Sequence, residues 1–498
     1  MSCSESSWLR GGAAVIACLA LEAIFCAHPA TAETMNEALA NAYLINPILS
    51  SERARLRATD EQVSVAISGL RPFITASGDA AFQNTDGNVA SVGGPPPMCT
   101  AAEQSTEPAF CAFLAGQASA ASASASSNEG VTHPRGYSVT LTQPIFEGFQ
   151  NLNAIRQAKA TVQAGRESLR AVEQTTLLNA VTAYVDVVRD QAVVRLRQTN
   201  VDVLTEQLRQ TKDRFNVGEV TRTDVAQAES RLAAGRAQVL TAESNYISSK
   251  AAYRQQIGVE PGRLAAASPV DRYTPRTLAA AIEAGREFNP AVAAAMFGID
   301  VALLQVKINE GALLPTVTAQ VNVQQSWEVS PIIMKQLDAS IVGQVTVPIY
   351  QGGQEYSLIR QSKETLGQQR ISLDTTRDAV QANVTQAWGQ LEAAKAQIQA
   401  TTAQVNSSEI ALNGVREEAR VGQRTTLDVL NAQQALVNAR IALVVAQHDR
   451  VVASYNLLAA VGRLSPQVLG LPTSVYDPMV HYQQVRDAWF GIRILDGR

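Results

Sequence analysis

Side chains able to do chemistry are few in this chain, and most stand alone. Asp224 and Asp428 lie 204 residues apart, each a few residues after a Val-Gly turn, at Val217-Gly218-Glu219 and Val421-Gly422-Gln423. A carboxylate there suits the first turn of a helix, where the helix dipole favours negative charge. It equally suits the lining of a water-filled path, where several copies in a ring attract cations and repel anions. The four histidines, His28, His133, His448 and His481, are isolated in sequence, and there is no phosphate-binding Gly-Lys loop, Cys-x-x-Cys pair or His-Glu-x-x-His helix. The pattern therefore predicts neither an enzyme nor a resident metal or cofactor.

Five cysteines become two if an export signal is removed. Arg10, an apolar run from Gly11 to Cys26 and Ala30-Thr31-Ala32 before Glu33 read as such a signal, with cleavage after Ala32. Val15-Ile16-Ala17-Cys18 offers a second reading, acylation at Cys18. Glu22 interrupts a stretch already shorter than the ~20 residues of a spanning helix, which argues against a retained anchor. In an oxidising compartment Cys99 and Cys111 would close a small disulfide loop, with two free thiols as the alternative. No His stands near them at zinc-ligand spacing.

The elements around these residues occur twice. Pro144, Gly148, Gly218, Asp224 and Gly258 recur as Pro348, Gly352, Gly422, Asp428 and Gly462, at an offset of 204. Asn46-Pro47 and Pro72 recur as Asn289-Pro290 and Pro315, at an offset of 243. One duplicated unit spans most of the chain, and the first copy carries 39 extra residues between two candidate strands.

Composition fits long helices packed through small side chains. Charged residues make up 17% and aromatics 5%, so a large aromatic core is not expected, and a formal charge of -4 without a basic block excludes a nucleic-acid partner. Period-two alternation marks four strands: Thr316 to Gln324, Ser340 to Val347, Tyr137 to Thr142 and, more weakly, Phe73 to Phe82. Each has one apolar and one polar side. Four strands cannot close alone, and in an exported chain apolar outside with polar inside is the pattern of an outer-membrane barrel.

The remainder alternates three and four spacing over unusual lengths. Ile155, Val162, Leu169 and Leu204, then Val225, Leu232 and Val239, mark two helices; Ile359, Leu366, Leu373 and Val380, then Val429, Leu436 and Leu443, mark their copies. At 1.5 Å per residue the longest would reach roughly 100 Å. Gly218 and Gly422 can take positive φ and end a helix in a Schellman or αL cap. The following helices are expected to start near Thr223-Asp224 and Thr426-Leu427-Asp428.

The double repeat, the strand-to-helix junctions QPIFEGFQ and VPIYQGGQ, and the turns FNVGEVTRTDVAQAESRL and ARVGQRTTLDVLNAQQAL resemble the TolC-like outer-membrane efflux and secretion ducts over about residues 35 to 465. The resemblance implies a mainly α protein with a transmembrane β part: a homotrimer in which four strands per chain form one twelve-stranded barrel in outer-membrane lipid, continued by a long periplasmic α-helical barrel. It implies partnership with a periplasmic adaptor and an inner-membrane pump of the resistance-nodulation-division or ABC type. Asp428 matches an acidic position that narrows the pore in three copies, and the family's second acidic ring falls at Asn431. Thr223, Asp224 and Arg424 match positions whose hydrogen bonds and ion pairs keep the tip closed, while the gate tyrosine is replaced by Ala419. Val217, Gly218, Val421 and Gly422 would dock the adaptor.

The domain reading is a signal at 1–32, a first repeat at 33–262, a second at 263–465 and a tail at 466–498. In the first repeat strands are expected at about 73–83 and 136–146 and helices at 149–216 and 222–257; in the second, strands at 316–326 and 339–349 and helices at 353–420 and 426–461. The functional expectation is an exit duct for small toxic compounds or polypeptides. A duct dedicated to type I protein secretion is the near alternative, and an exported structural coiled-coil protein or adhesin the alternative of another class.

Overall fold

The computed structural model describes residues 32–85, 99–114, 130–329 and 333–494. Signal cleavage and acylation at Cys18 fall outside them, as do stretches 86–98 and 115–129 of the first copy's insertion. The chain divides into a sheet unit, 65–156 with 304–363, and a helical unit formed by the rest.

In the sheet unit, β1 (Phe73–Ala80), β4 (Arg135–Glu147), β5 (Thr316–Trp327) and β6 (Lys335–Thr346) form one antiparallel sheet in that order; β2 (Gln83–Thr85) and β3 (Gly130–Thr132) pair separately. The alternation sorts the faces. Ile74, Leu141, Val321 and Ile341 align across the four strands, and Ala76, Val139, Val323 and Ala339 form the next apolar row. On the other face Ser77 bonds Ser138 at 2.8 Å, and the Thr140 hydroxyl donates to Asn322 Oδ1 at 3.0 Å. The apolar rows are open at the edge strands, with Ile74 68% and Ile341 82% exposed, and half-buried at Leu141 and Val321 between them, an apolar face that suits lipid and not water.

The duplication extends to hydrogen-bond register. β1 pairs with β4 from Phe73↔Thr142 to Ala80↔Arg135; moved by the two offsets, 243 and 204, these pairs become Thr316↔Thr346 and Val323↔Ala339, as observed between β5 and β6. Two strands depart from expectation, one of them at both ends. β1 stops at Ala80 instead of residue 83, because Pro134 interrupts the facing strand between β3 and β4 and has no N–H to donate. β6 starts at Lys335 and ends at Thr346 instead of spanning 339–349. Its counterpart β4 continues to Glu147 only because β5 pairs with its second edge, through a bulge at Pro144/Phe146; β6 has no strand on that side among the described residues.

α1 (Met35–Ile45), α2 (Pro47–Ser68), α4 (Gln150–Asn216) and α5 (Arg222–Ile257) belong to the first copy; a short α3 (Ala101–Thr106) lies in its insertion. The second copy holds α6 (Leu278–Phe288), α7 (Pro290–Gly311), α8 (Gln354–Arg420) and α9 (Thr426–Ala460). Buried positions recur every seven residues along α4, at Val162, Leu169, Thr176, Ala183 and Asp190, and along α8, at Leu366, Leu373, Val380, Ala387, Ala394 and Thr401. That is a coiled-coil seam with several small or polar knobs.

Both Asn-Pro corners are built alike. Asn46 Nδ2 donates to Gln256 O at 2.9 Å and Asn289 Nδ2 to Ala460 O at 3.0 Å, so each side chain satisfies a free carbonyl at a helix C-terminus. The tail, α10 (Pro466–Leu469) and α11 (Pro478–Val485), packs onto the first copy. Arg53 stacks on Tyr43 and Tyr476, and His481 Nδ1 lies 3.1 Å from the buried Asp60 carboxylate. Burial pushes the Asp60 carboxyl up, against the opposing hydrogen bond from His481.

Candidate functional site at the helix turns

Each long helix ends in the same six-residue hydrogen-bonded turn. Glu219 N–H donates to Arg214 O and Gln423 N–H to Glu418 O, both at 2.9 Å, while Gly218 at φ +83° and Gly422 at φ +79° take the left-handed position. These are Schellman closures, and glycine is favoured because a side chain there would be strained. Beyond the adjoining residues, no atom lies within 4 Å of where a Cβ would stand on either glycine. Val217 and Val421 are 74% and 71% exposed, two apolar knobs on otherwise open turns.

The helices that follow are capped by residues the sequence reading passed over. Thr221 and Thr425, again 204 apart, are the N-caps, two residues before Thr223 and one before Thr426. The Asp428 carboxylate accepts from the Thr425 backbone N–H at 3.0 Å and hydroxyl at 2.9 Å, while the Thr425 hydroxyl accepts from Asp428 N–H at 3.2 Å. Asp224 and Thr221 repeat the arrangement at 2.9, 2.7 and 3.3 Å. The Thr-x-x-Asp spacing of a capping box was the available signal. Thr425's backbone and hydroxyl donors hold the Asp428 carboxyl below the usual carboxylate range, so it stays ionised at neutral pH.

Asp224 and Arg424 take local partners within the chain. Arg424 Nε donates to Glu418 at 2.8 Å, which raises the guanidinium's pKa further, and Asp224 is held by Thr221. Asn431 lies one turn after Asp428 on the same side of α9, and its Oδ1 accepts from Arg231 Nη2 of α5 at 2.8 Å. Beside this pair Leu204, Leu232 and Leu430 form a small buried cluster joining α4, α5 and α9. Arg231–Asn431 is the single side-chain hydrogen bond between α5 and α9 among the described residues. Spacing alone could not reveal it, because Arg231 corresponds to Ala435 in the other copy.

Cys99 and Cys111 form a disulfide in the first copy's insertion, with Cα atoms 6.0 Å apart. No cluster of three or more His, Cys, Asp or Glu side chains able to hold a metal ion occurs among the described residues.

The turns hold small exposed apolar knobs, and no reacting centre is assembled at them among the described residues. Similarity to known proteins agrees with a channel. The sequence pattern described as outer membrane efflux protein matches residues 35–259 and 281–463. The chain is 38% identical over 470 residues to outer membrane efflux protein BepC of Brucella suis biovar 1 (strain 1330), covering 94% of each. It is 28% identical over 359 residues to outer membrane protein TolC of Escherichia coli (strain K12), covering 69% of this chain and 72% of the relative. Its fold matches the Campylobacter jejuni CmeC outer membrane channel with a TM-score of 0.71 at 16% identity, covering 91% of this chain and 89% of that one. Duplicated helix pairs, a lipid-suited four-stranded sheet and these likenesses make the chain a member of the outer membrane efflux protein family, an exit duct located in the outer membrane.

Proposed function

We propose that three copies assemble into a passive, non-enzymatic duct that works with a periplasmic adaptor and an inner-membrane pump to export small toxic compounds. The observation that carries this reading is the four-stranded sheet with an exposed apolar face and two open edges, which cannot be stable as a water-soluble unit. Shared among three chains, twelve strands remove every edge. Selectivity then belongs to the pump, and the duct supplies closure at the helix turns. Three ionised Asp428 carboxylates would form the ring that draws cations and constricts the path, with Asn431 a neutral second level. Val217, Gly218, Val421 and Gly422 would receive the adaptor, since they combine exposed valines with open space. Thr223, Asp224 and Arg424 would act across neighbouring copies.

Deletion of the gene in its own host, with complementation by wild type and by variants carrying charge at Val217 and Val421, tests this reading. Hypersensitivity to several unrelated toxic compounds, restored by wild type but not by variants that still reach the outer membrane, is expected. Unaltered tolerance, or recovery of the protein in the soluble periplasm, would overturn it.

A further inference from the structure

The internal repeat also fixes how one copy's sheet meets the next. Moving the β1–β4 pairs by 243 and 204 residues reproduces β5–β6 residue for residue. The same two offsets can be applied to the remaining ladder, β4–β5. It pairs Thr142 with Gln320 and Pro144 with Thr318, then Phe146 with Val317 and Glu147 with Thr316 after the bulge. The counterpart of β4 is β6 and the counterpart of β5 is β1, which lie on opposite edges of the sheet.

We infer that β6 of one chain pairs antiparallel with β1 of a second copy in the register Thr346 opposite Ser77 and Pro348 opposite Thr75, shifting at a bulge to Tyr350 opposite Ile74. This deepens the trimeric reading proposed above and rests on it. Residues 347–351 then extend β6, as residues 143–147 extend β4.

Three separate observations support the register. Val347, Ile349 and Tyr350 are exposed in the single chain, 57, 90 and 76%, although they occupy positions that in β4 are paired or bulged against β5. The faces also match: Val347 falls opposite Ala76 on the apolar side, and Gln344 opposite Asp79 with Thr346 opposite Ser77 on the polar side. A slip of one residue would set apolar against polar throughout. Finally, Gly148, at φ +59°, lies so close to Gly311 that an added Cβ would stand 2.2 Å from its carbonyl oxygen, whereas its counterpart Gly352, at φ +69°, has nothing within 4 Å. Residue 68 is the counterpart of Gly311, so the backbone at Ser68 of the second copy would fill that space.

The test is disulfide trapping in the full-length protein in outer membranes. Ser77 and Thr346 of one chain are separated by two intervening strands, too far for a bond within the chain at ~4.8 Å per strand. Under mild oxidation, Ser77→Cys with Thr346→Cys should give covalent dimers and trimers, about tenfold more than Thr346→Cys with Thr75→Cys or Asp79→Cys, the two-residue slips. Ile74→Cys with Tyr350→Cys, across the bulge, is a second pair should the first assemble poorly. Equal or stronger trapping by a slipped pair, or none by either pair in a protein that still runs as a heat-modifiable trimer, overturns the register and leaves the trimer standing. A wild-type protein extracted as a monomer overturns the trimeric reading itself, and a cross-linked band of another mass would give the edge to a different partner.

Discussion

The first turn, Val217-Gly218, and the second, Val421-Gly422, share a backbone and reverse their charge. Both close through a Schellman turn and restart through a Thr-x-x-Asp capping box. Across the first, Arg214 on the helix pairs with Glu219 beyond the turn; across the second, Glu418 at the equivalent helix position pairs with Arg424. Arg231 and Asn431 then link the copies without a counterpart on either side. Geometry is what the copies conserve internally, because the same turn must be made twice; side-chain charge is free to differ.

The largest effect expected from breaking this equivalence lies at the far ends of the second helices. A Cβ on Gly462 would stand 2.5 Å from the Asn289 Cα and the Phe288 carbonyl oxygen, which are backbone; on Gly258 it would meet only the Ile45 side chain, at 2.8 Å. Gly462→Ala should therefore cost several kcal/mol, about 1–3 from the left-handed backbone alone, and abolish assembled protein, whereas Gly258→Ala should leave it reduced but present. Heat-modifiable protein in outer membranes measures both. Equal losses would mean that Asn289 moves as easily as Ile45.

Next in size is the link between copies. Arg231→Ala or Asn431→Ala should raise resting channel conductance about two- to tenfold, the equilibrium worth of one modest hydrogen bond, and the double variant should add little to either. Asn431→Asp, which offers Arg231 a carboxylate, should lower conductance, most clearly at low salt. Independent, additive effects would separate the two residues.

A smaller, pH-dependent difference involves His448, whose counterpart in the first copy is Ser244. Its Nε2 lies 2.9 Å from Asp186 of α4 and its Nδ1 2.8 Å from Asp449, with Arg189 also bound to Asp186. Burial pushes the imidazole pKa down, but the two carboxylate hydrogen bonds outweigh burial and the nearby Arg189 and leave it raised. A raised folded pKa stabilises the protein below the unfolded value of about 6.5, and that stability fades as pH rises through the folded pKa. The wild-type melting temperature should thus fall between pH 5.5 and 8.5 more than that of His448→Gln; parallel curves would place the histidine outside the titration. Smallest of all, Arg214→Gln and Arg424→Gln should barely shift melting, since exposed ion pairs contribute little.

Strands and helices were legible because their periods, two and seven, are written in single residues such as Ile341 and Leu373. The turns were legible through Gly218 and Gly422, since positive φ has a residue signature. The helix starts at 222 and 426 were legible too, but the capping residues Thr221 and Thr425 were not singled out, because threonines crowd both segments and only the three-residue spacing to Asp224 and Asp428 tells them apart. Arg231–Asn431 and His448–Asp186 were not legible, because they join helices 200 and 262 residues apart in sequence through pairs the repeat does not duplicate. The C-terminal end of β6 was placed three residues too late for a related reason: alternation reports what a strand can pair with, and Val347 to Ile349 lack that partner within one chain.

Single-channel recording of protein extracted from outer membranes tests most directly whether the duplicated chain builds a closed duct gated at its turns. Discrete, cation-preferring openings of low conductance in the wild type, enlarged in Arg231→Ala and less cation-preferring in Asp428→Ala, are the predicted result. Absence of channels in the wild type and in Arg231→Ala alike would contradict it.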